Sequence, residues 1–136
     1  MKKVSLLLVF IFTTFQLTGQ EIEWAIPLIQ PGQVEVDDVD VDINGNSYVV
    51  GLNRGTVDFD PSDNEANLIN ESAMYDIFIA KYDSLGAYKW AIPIPSEVNN
   101  YQNRANAITV DNNENIYITG LFRGVVDFDP STEEAN

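Results

Sequence analysis

The chain writes one stretch twice. Val41–Asn67, VDINGNSYVVGLNRGTVDFDPSDNEAN, returns as Val110–Asn136, VDNNENIYITGLFRGVVDFDPSTEEAN. Aligning Asp38–Asn67 with Ala107–Asn136 needs no gap and gives 18 identical residues in 30 at an offset of 69. Self-similarity at a fixed period means that one supersecondary unit is stacked or arrayed, so neighbouring units must complete one another. A second anchor supports this. Trp24-Ala25-Ile26-Pro27 returns as Trp90-Ala91-Ile92-Pro93 at an offset of 66, so three residues are lost after the proline. That places the loss in a loop, because loops absorb length changes and strands do not.

Between these anchors the pattern is that of strands. Glu21–Leu28 alternates charged and apolar residues around Trp24 until Pro27 interrupts it, as at the edge of a sheet. Val36–Ile43 and Ala105–Asp111 are short period-two runs. The turn residues Asn44-Gly45-Asn46 and Asn112–Asn115 follow them, leading into Ser47–Leu52 and Ile116–Phe122, which are rich in β-branched and aromatic residues. Gly51 and Gly120 sit inside these strands, where a glycine implies that backbone or a ring packs closely against it. Val57–Pro61 and Val126–Pro130 are extended segments ended by proline, and Ser62–Glu71 is expected to be a polar surface excursion. Asp76–Asp83 is apolar on both alternating faces, so it should be covered on both, and Ser84-Leu85-Gly86 turns it back into Ala87–Ile92. No sustained helical spacing occurs beyond the first fifteen or so residues.

Four antiparallel strands per period with two apolar faces cannot stand alone in water. Successive sheets must stack face to face, as the blades of a β-propeller do around a channel. The residues Asp111–Gly120, DNNENIYITG, together with Asp76–Asp83 and Trp90, resemble the bacterial β-propeller repeat known as SBBP, whose pattern is roughly VDxxGNxYVTG followed by DxFVxKxDxxGxxxW. The Asp-Phe-Asp-Pro element is similar to a variant found in exported proteins of the Bacteroidetes type. The resemblance covers nearly all of Glu21–Asn136 and implies an all-β fold of antiparallel four-stranded blades. About one and a half blades are expected here, with a first unit over roughly 24–89 and a second over 90–136 that stops before its third strand. Such a chain is expected to be the N-terminal fragment of a longer protein, its remaining blades among its partners and Glu21–Pro27 latching the ring.

Lys2 and Lys3 precede an apolar run from Val4 to Phe15 and a polar exit to Gln20, the layout of a signal peptide over residues 1–19. The run is shorter than the roughly 20 residues a spanning helix needs, which leaves a permanent anchor as the weaker alternative. With no cysteine in the chain, neither a lipidated cysteine nor a disulfide framework is available. Removing residues 1–19 leaves five Lys and Arg against 21 Asp and Glu, a net charge of −16. That argues against nucleic acid and anionic membranes as partners, favours cations or basic surfaces, and is also what keeps an exported β-rich protein soluble.

Three sets of side chains are candidates for binding. Asp42, Asn44 and Asn46, and their counterparts Asp111, Asn113 and Asn115, have the D-x-N-x-N start of a calcium loop, but position twelve is Asn53 or Phe122 rather than an acid. The same residues suit a hairpin turn. Asp58, Asp60 and Asp63, with Asp127 and Asp129, are either a cation or sugar grip or structural partners of Arg54 and Arg123 four residues upstream. Trp24, Trp90, Tyr48, Tyr117, Phe59 and Phe128 either stack on sugars or pack between blades, and their recurrence favours packing. There is no histidine, and so neither a Ser-His nor a Cys-His nucleophile. The expectation is an exported, non-catalytic scaffold or binding module, without a cofactor, for a protein or glycan partner. The alternatives are an enzyme using carboxylates elsewhere in a longer chain and a calcium-dependent adhesion module.

Overall fold

The computed structural model describes residues 22–28, 31–71, 74–94, 103–124 and 126. The leader over residues 1–19, the Asp127–Pro130 element, Phe128 and the shortened loop after Pro93 lie outside these residues. The described residues include seven strands: β1 (Gln33–Val41), β2 (Ser47–Asp58), β3 (Asn67–Asn70), β4 (Asp76–Tyr82), β5 (Tyr88–Ile94), β6 (Arg104–Val110) and β7 (Ile116–Leu121). In the first sheet β1, β2, β4 and β5 lie side by side in that order, each antiparallel to the next, while β3 pairs with the far end of β2. A second sheet consists of β6 and β7. Among the described residues there is no helix, and so none long and apolar enough to cross a membrane.

The first sheet has two apolar faces, as the composition of Asp76–Asp83 requires. On the back face Tyr48, Val50, Leu52, Ile77 and Ile79 form a core with Ala105 and Ile108 of the second sheet. On the front face Val57, Phe59, Phe78, Ala80 and Tyr82 form another. Phe59 and Phe78 meet with ring centroids 4.7 Å apart, and the Tyr82 hydroxyl donates to the Phe59 carbonyl at 3.0 Å. The two faces together are the core of a stacked-sheet protein, and neither exists without what lies on top of it.

Gly51 and Gly120 answer the expectation of close packing. A Cβ at Gly51 would strike the Glu35 carbonyl and come within 3.0 Å of the Phe78 ring, and one at Gly120 would strike the Arg104 carbonyl. Both glycines lie across from irregularities in the partner strand, between Val36 and Asp38 and between Ala105 and Ala107. Such a bulge places two residues opposite one and re-aims the side chains beyond it.

Three expectations are corrected. The four expected strands of the first unit are β1, β2, β4 and β5, but Asn67–Asn70, expected within a surface excursion, folds back on Gly55–Asp58 as a short strand beside that path. Beside the backbone ladder, it is anchored by side chains that strand patterns do not register: Asp58 Oδ1 accepts the Ala66 N–H at 2.8 Å, and Asn70 Nδ2 donates to the Asn53 carbonyl at 2.9 Å. β2 also runs through Arg54-Gly55 to Asp58 rather than stopping at Leu52. Finally, residues 22–28 are not an edge strand. The seat that WAIP takes beside β4 is filled by Trp90–Pro93, so Ile26 and Leu28 pack on the front core instead and Trp24 lies against Gly86.

Candidate functional site

The D-x-N-x-N loops are hairpin turns with a common geometry. In the first, Asp42 Oδ1 accepts the N–H groups of Asn44 and Asn46 at 2.9 Å, and Oδ2 accepts the Asn46 side-chain amide at 2.8 Å. The Gly45 N–H donates to the Asp42 carbonyl, and the Asp42 N–H to the Asn46 carbonyl. Asp111 repeats this pattern with Asn113 and Asn115. So does Asp83, with Leu85 and Ala87, in the sequence Asp-Ser-Leu-Gly-Ala. A type I turn followed by a residue of positive φ is a standard hairpin connection, and the residues concerned are Gly45 (φ 83°), Gly86 (φ 80°) and Glu114 (φ 64°). The third loop has neither asparagine, so the shared shape follows from the aspartate and the left-handed residue. The asparagines at 44, 46, 113 and 115 are not what makes it.

These carboxyls are held below the usual carboxylate range. For Asp111 the Asn115 side-chain amide contributes most, and for Asp83 the Lys89 ammonium, 2.7 Å away, does. At Asp42 burial pushes upward, but the bonds from Asn46, Asn44 and Tyr48 outweigh it. Among the described residues no three carboxylates converge as a metal cage would require.

Glu114 departs from its glycine counterparts. A side chain in the left-handed region costs about 1–2 kcal/mol, and here the Glu114 carboxylate reaches across to the first sheet. Its Oε2 lies 2.9 Å from Lys81 Nζ and accepts from the Tyr48 hydroxyl at 3.5 Å. The single Tyr48 hydroxyl proton is shared with Asp42 Oδ2 at 3.3 Å, and Lys81 Nζ stands 4.7 Å from the centre of the Tyr48 ring. Burial raises the Tyr48 pKa, while the neighbouring Tyr48 and Glu114 hold the Lys81 ammonium above its ordinary value. Asp42, Tyr48, Lys81 and Glu114 thus form a charged clasp between the sheets.

A second clasp lies along β1. Asp38 Oδ2 accepts the Ile108 N–H at 2.9 Å, and Asp40 Oδ2 accepts the Val110 N–H at 2.8 Å and the Thr109 hydroxyl at 2.9 Å. Among the described residues β6 has a strand on one side only, and on the other these carboxylates take its amides. Arg104 donates through Nε and a terminal nitrogen to Asp37 Oδ1 and lies 3.4 Å from Glu35. The Asp37 side chain is 4 % exposed, and its other oxygen is buried without a hydrogen-bond partner. Beside it a cleft of about 320 Å³ is lined by Glu35, Leu52, Tyr75, Asn103, Leu121 and the two arginines Arg104 and Arg123.

The remaining candidates divide between those that pack as expected and those that do not. Asp58 does not pair with Arg54: its Oδ1 accepts the Asp60 and Ala66 N–H groups, and Asp60 Oδ1 accepts that of Ser62. Tyr48 and Phe59 are buried, and Trp90 meets Tyr48 edge-on with centroids 6.2 Å apart, as packing residues do. Tyr117 is exposed. Sequence reasoning passed over Asp37, Asp38, Asp40, Lys81, Arg104 and Glu114. For the three aspartates the signal was the series in VDDVDVD, which the second copy replaces with ANAITVD.

No family model matches the chain, and no solved structure matches it. An uncharacterized WD repeat-containing protein of Acanthamoeba polyphaga mimivirus is 28% identical over 118 residues, which cover 77% of this chain and 8% of that protein. The chain therefore spans a small part of the length of this relative. The likeness is to a repeat protein, in keeping with the stacked sheets: this is an all-β chain whose antiparallel sheets form partial blades of a β-propeller.

Proposed function

We propose that the chain is a non-catalytic repeat scaffold or binding module of the SBBP type, exported by residues 1–19 and working outside the cell or at its surface. The observation that carries the scaffold reading is the contact between the two units. The polar side chains that sequence and geometry bring together are spent on joining one sheet to the next, at Asp38, Asp40, Lys81 and Glu114. Arg104, one of the two arginines that line the cleft, is likewise engaged by Asp37 and Glu35. The loops remain free to bind a protein or glycan, as in other stacked-repeat proteins. Export rests on the basic start and twelve-residue apolar run.

The test is to express the whole chain in a bacterium with general secretion, fractionate the cells and sequence the N-terminus. Export predicts a species beginning at Gln20 outside the cytoplasm. A cytoplasmic species that keeps Met1 would remove the export half of the proposal. Substituting Lys81 and Asp40 tests the other half, since a scaffold role requires these changes to loosen the second sheet from the first.

A further inference from the structure

The two sheets meet through unlike faces. The back of the first, with Tyr48, Val50 and Leu52, buries the front of the second, with Ala105, Ile108 and Ile118. At one end of this joint lies the cleft of about 320 Å³. Glu35, Leu52 and Tyr75 line it from the first unit, and Asn103, Arg104 and Leu121 from the second, so it is a feature of the contact between consecutive units. Its volume is at the small end of the range for ligand sites, about 300–1,000 Å³. That suits a short polar ligand and not a folded partner.

The second unit departs from the repeat at this place. At the offset of 69, Asn103 stands where the first unit has Val34, and Arg104 where it has Glu35. Val34 packs on the front core, whereas Asn103, 3% exposed, lines the cleft. Its Oδ1 accepts the Arg123 N–H at 2.7 Å, but among the described residues its side-chain nitrogen has no acceptor. Burying an amide without a partner is costly, and joining sheets does not require one, since a valine fills the same seat in the first unit. Arg104 is also only part engaged. The buried Asp37 carboxylate takes its Nε and one terminal nitrogen and so fixes the guanidinium, while the other terminal nitrogen has no acceptor among the described residues.

The lining selects its ligand by elimination. Asn103 and Arg104 offer donors, and Glu35 beside them, its side chain 59% exposed, offers an acceptor. A carboxylate or phosphate would take the donors but face Glu35 as a like charge, and an ammonium could take nothing from Asn103 or Arg104. An apolar ligand would leave the Asn103 amide unbonded. Hydroxyl groups both donate and accept, and so suit all three side chains. The rest of the lining is apolar: Leu52, Leu121 and Tyr75, whose hydroxyl is already bonded to Gln33 Oε1 at 2.7 Å. We propose that the cleft binds a neutral pyranose unit of a glycan, its hydroxyls on Asn103, Arg104 and Glu35 and its C–H face on Tyr75 and the leucines. This deepens the binding-module reading above and rests on it.

The experiment uses the isotope-labelled chain from Gln20 onward, which carries every described residue, and follows its amide resonances during titration. The probes are D-glucose, D-galactose, D-mannose and D-glucuronate, each to about 100 mM. At least one neutral sugar should saturate with a Kd on the order of millimolar, shifting the Asn103 side-chain amide and the backbone amides of Arg104 and Tyr75. Asn103→Val, which restores the residue of the first unit, should abolish those shifts, but it also takes the acceptor from Arg123. The deciding variant is therefore Glu35→Gln, at an exposed position, which should leave the circular dichroism spectrum unchanged and weaken binding about tenfold, the value of one hydrogen bond to a charged group. The proposal is overturned if no neutral sugar gives a saturable shift, if glucuronate alone does, or if the shifts lie elsewhere or survive Glu35→Gln unaltered. None of these results bears on the joint itself, which the Lys81 and Asp40 substitutions test separately.

Discussion

Three aspartates, Asp42, Asp83 and Asp111, show what one residue decides in this chain. Each begins a turn by accepting the amides two and four positions on, and the asparagines that made two of the loops look like cation sites are absent from the third. Composition could not separate these readings, because a turn and a calcium loop both draw on Asp, Asn and Gly. With the turn reading, neither millimolar calcium nor a chelator should move the thermal midpoint measured by circular dichroism. A calcium-dependent rise that Asp42→Asn removes would instead establish a cation site. The same carboxyls set the response to acid. Their folded pKa values lie below the unfolded value of about 4, so the stability they contribute is complete above that pH and is lost as pH falls through the lowered values. The thermal midpoint should be nearly flat from about pH 7 to about pH 5 and fall steeply below about pH 4. Asp42→Asn should lessen that fall.

At the level of strands, those with long β-branched runs were legible. Ser47–Leu52, Asp76–Asp83 and Ile116–Phe122 all became strands within two residues of one expected end, because burial on alternate sides leaves a period of two in the sequence. β3 was not legible. Its four residues carry one inward leucine and a buried asparagine, and its seat is fixed by Asp58, nine positions away from Asn67. Replacing Asp58 with Ala should cost about 1–2 kcal/mol by leaving the Ala66 amide without its acceptor. Hydrogen exchange should then quicken at Asn67–Asn70 while β4 stays protected; equal loosening of β4 would show that β3 is no separate element. β1 was legible in place but not in phase. With the bulge at Asp37, Val36 pairs with Gly51 and Val39 with Val49, so the two valines share a face although they are three residues apart. Strict alternation assigns them to opposite faces.

Over the whole molecule, the repeat revealed the architecture and concealed the joints. Searching for what recurs finds the packing core. Much of the joint lies where the copies differ: Asp38 against Ala107, Asp40 against Thr109, Glu114 against Gly45. A contact between unlike faces needs different residues on its two sides, so it cannot recur inside one unit. If Asp38 and Asp40 hold β6, substituting both with Ala should speed amide exchange at Ile108 and Val110 and leave β4 unchanged. Unaltered rates at those two amides would assign the contact to apolar packing alone. The direction of the stacking has a consequence for how such a chain grows. A unit with a front and a back that fit each other is already matched to its own duplicate, so copying the gene segment lengthens the array without any new surface having to evolve. A unit that joined through like faces would stop at a pair.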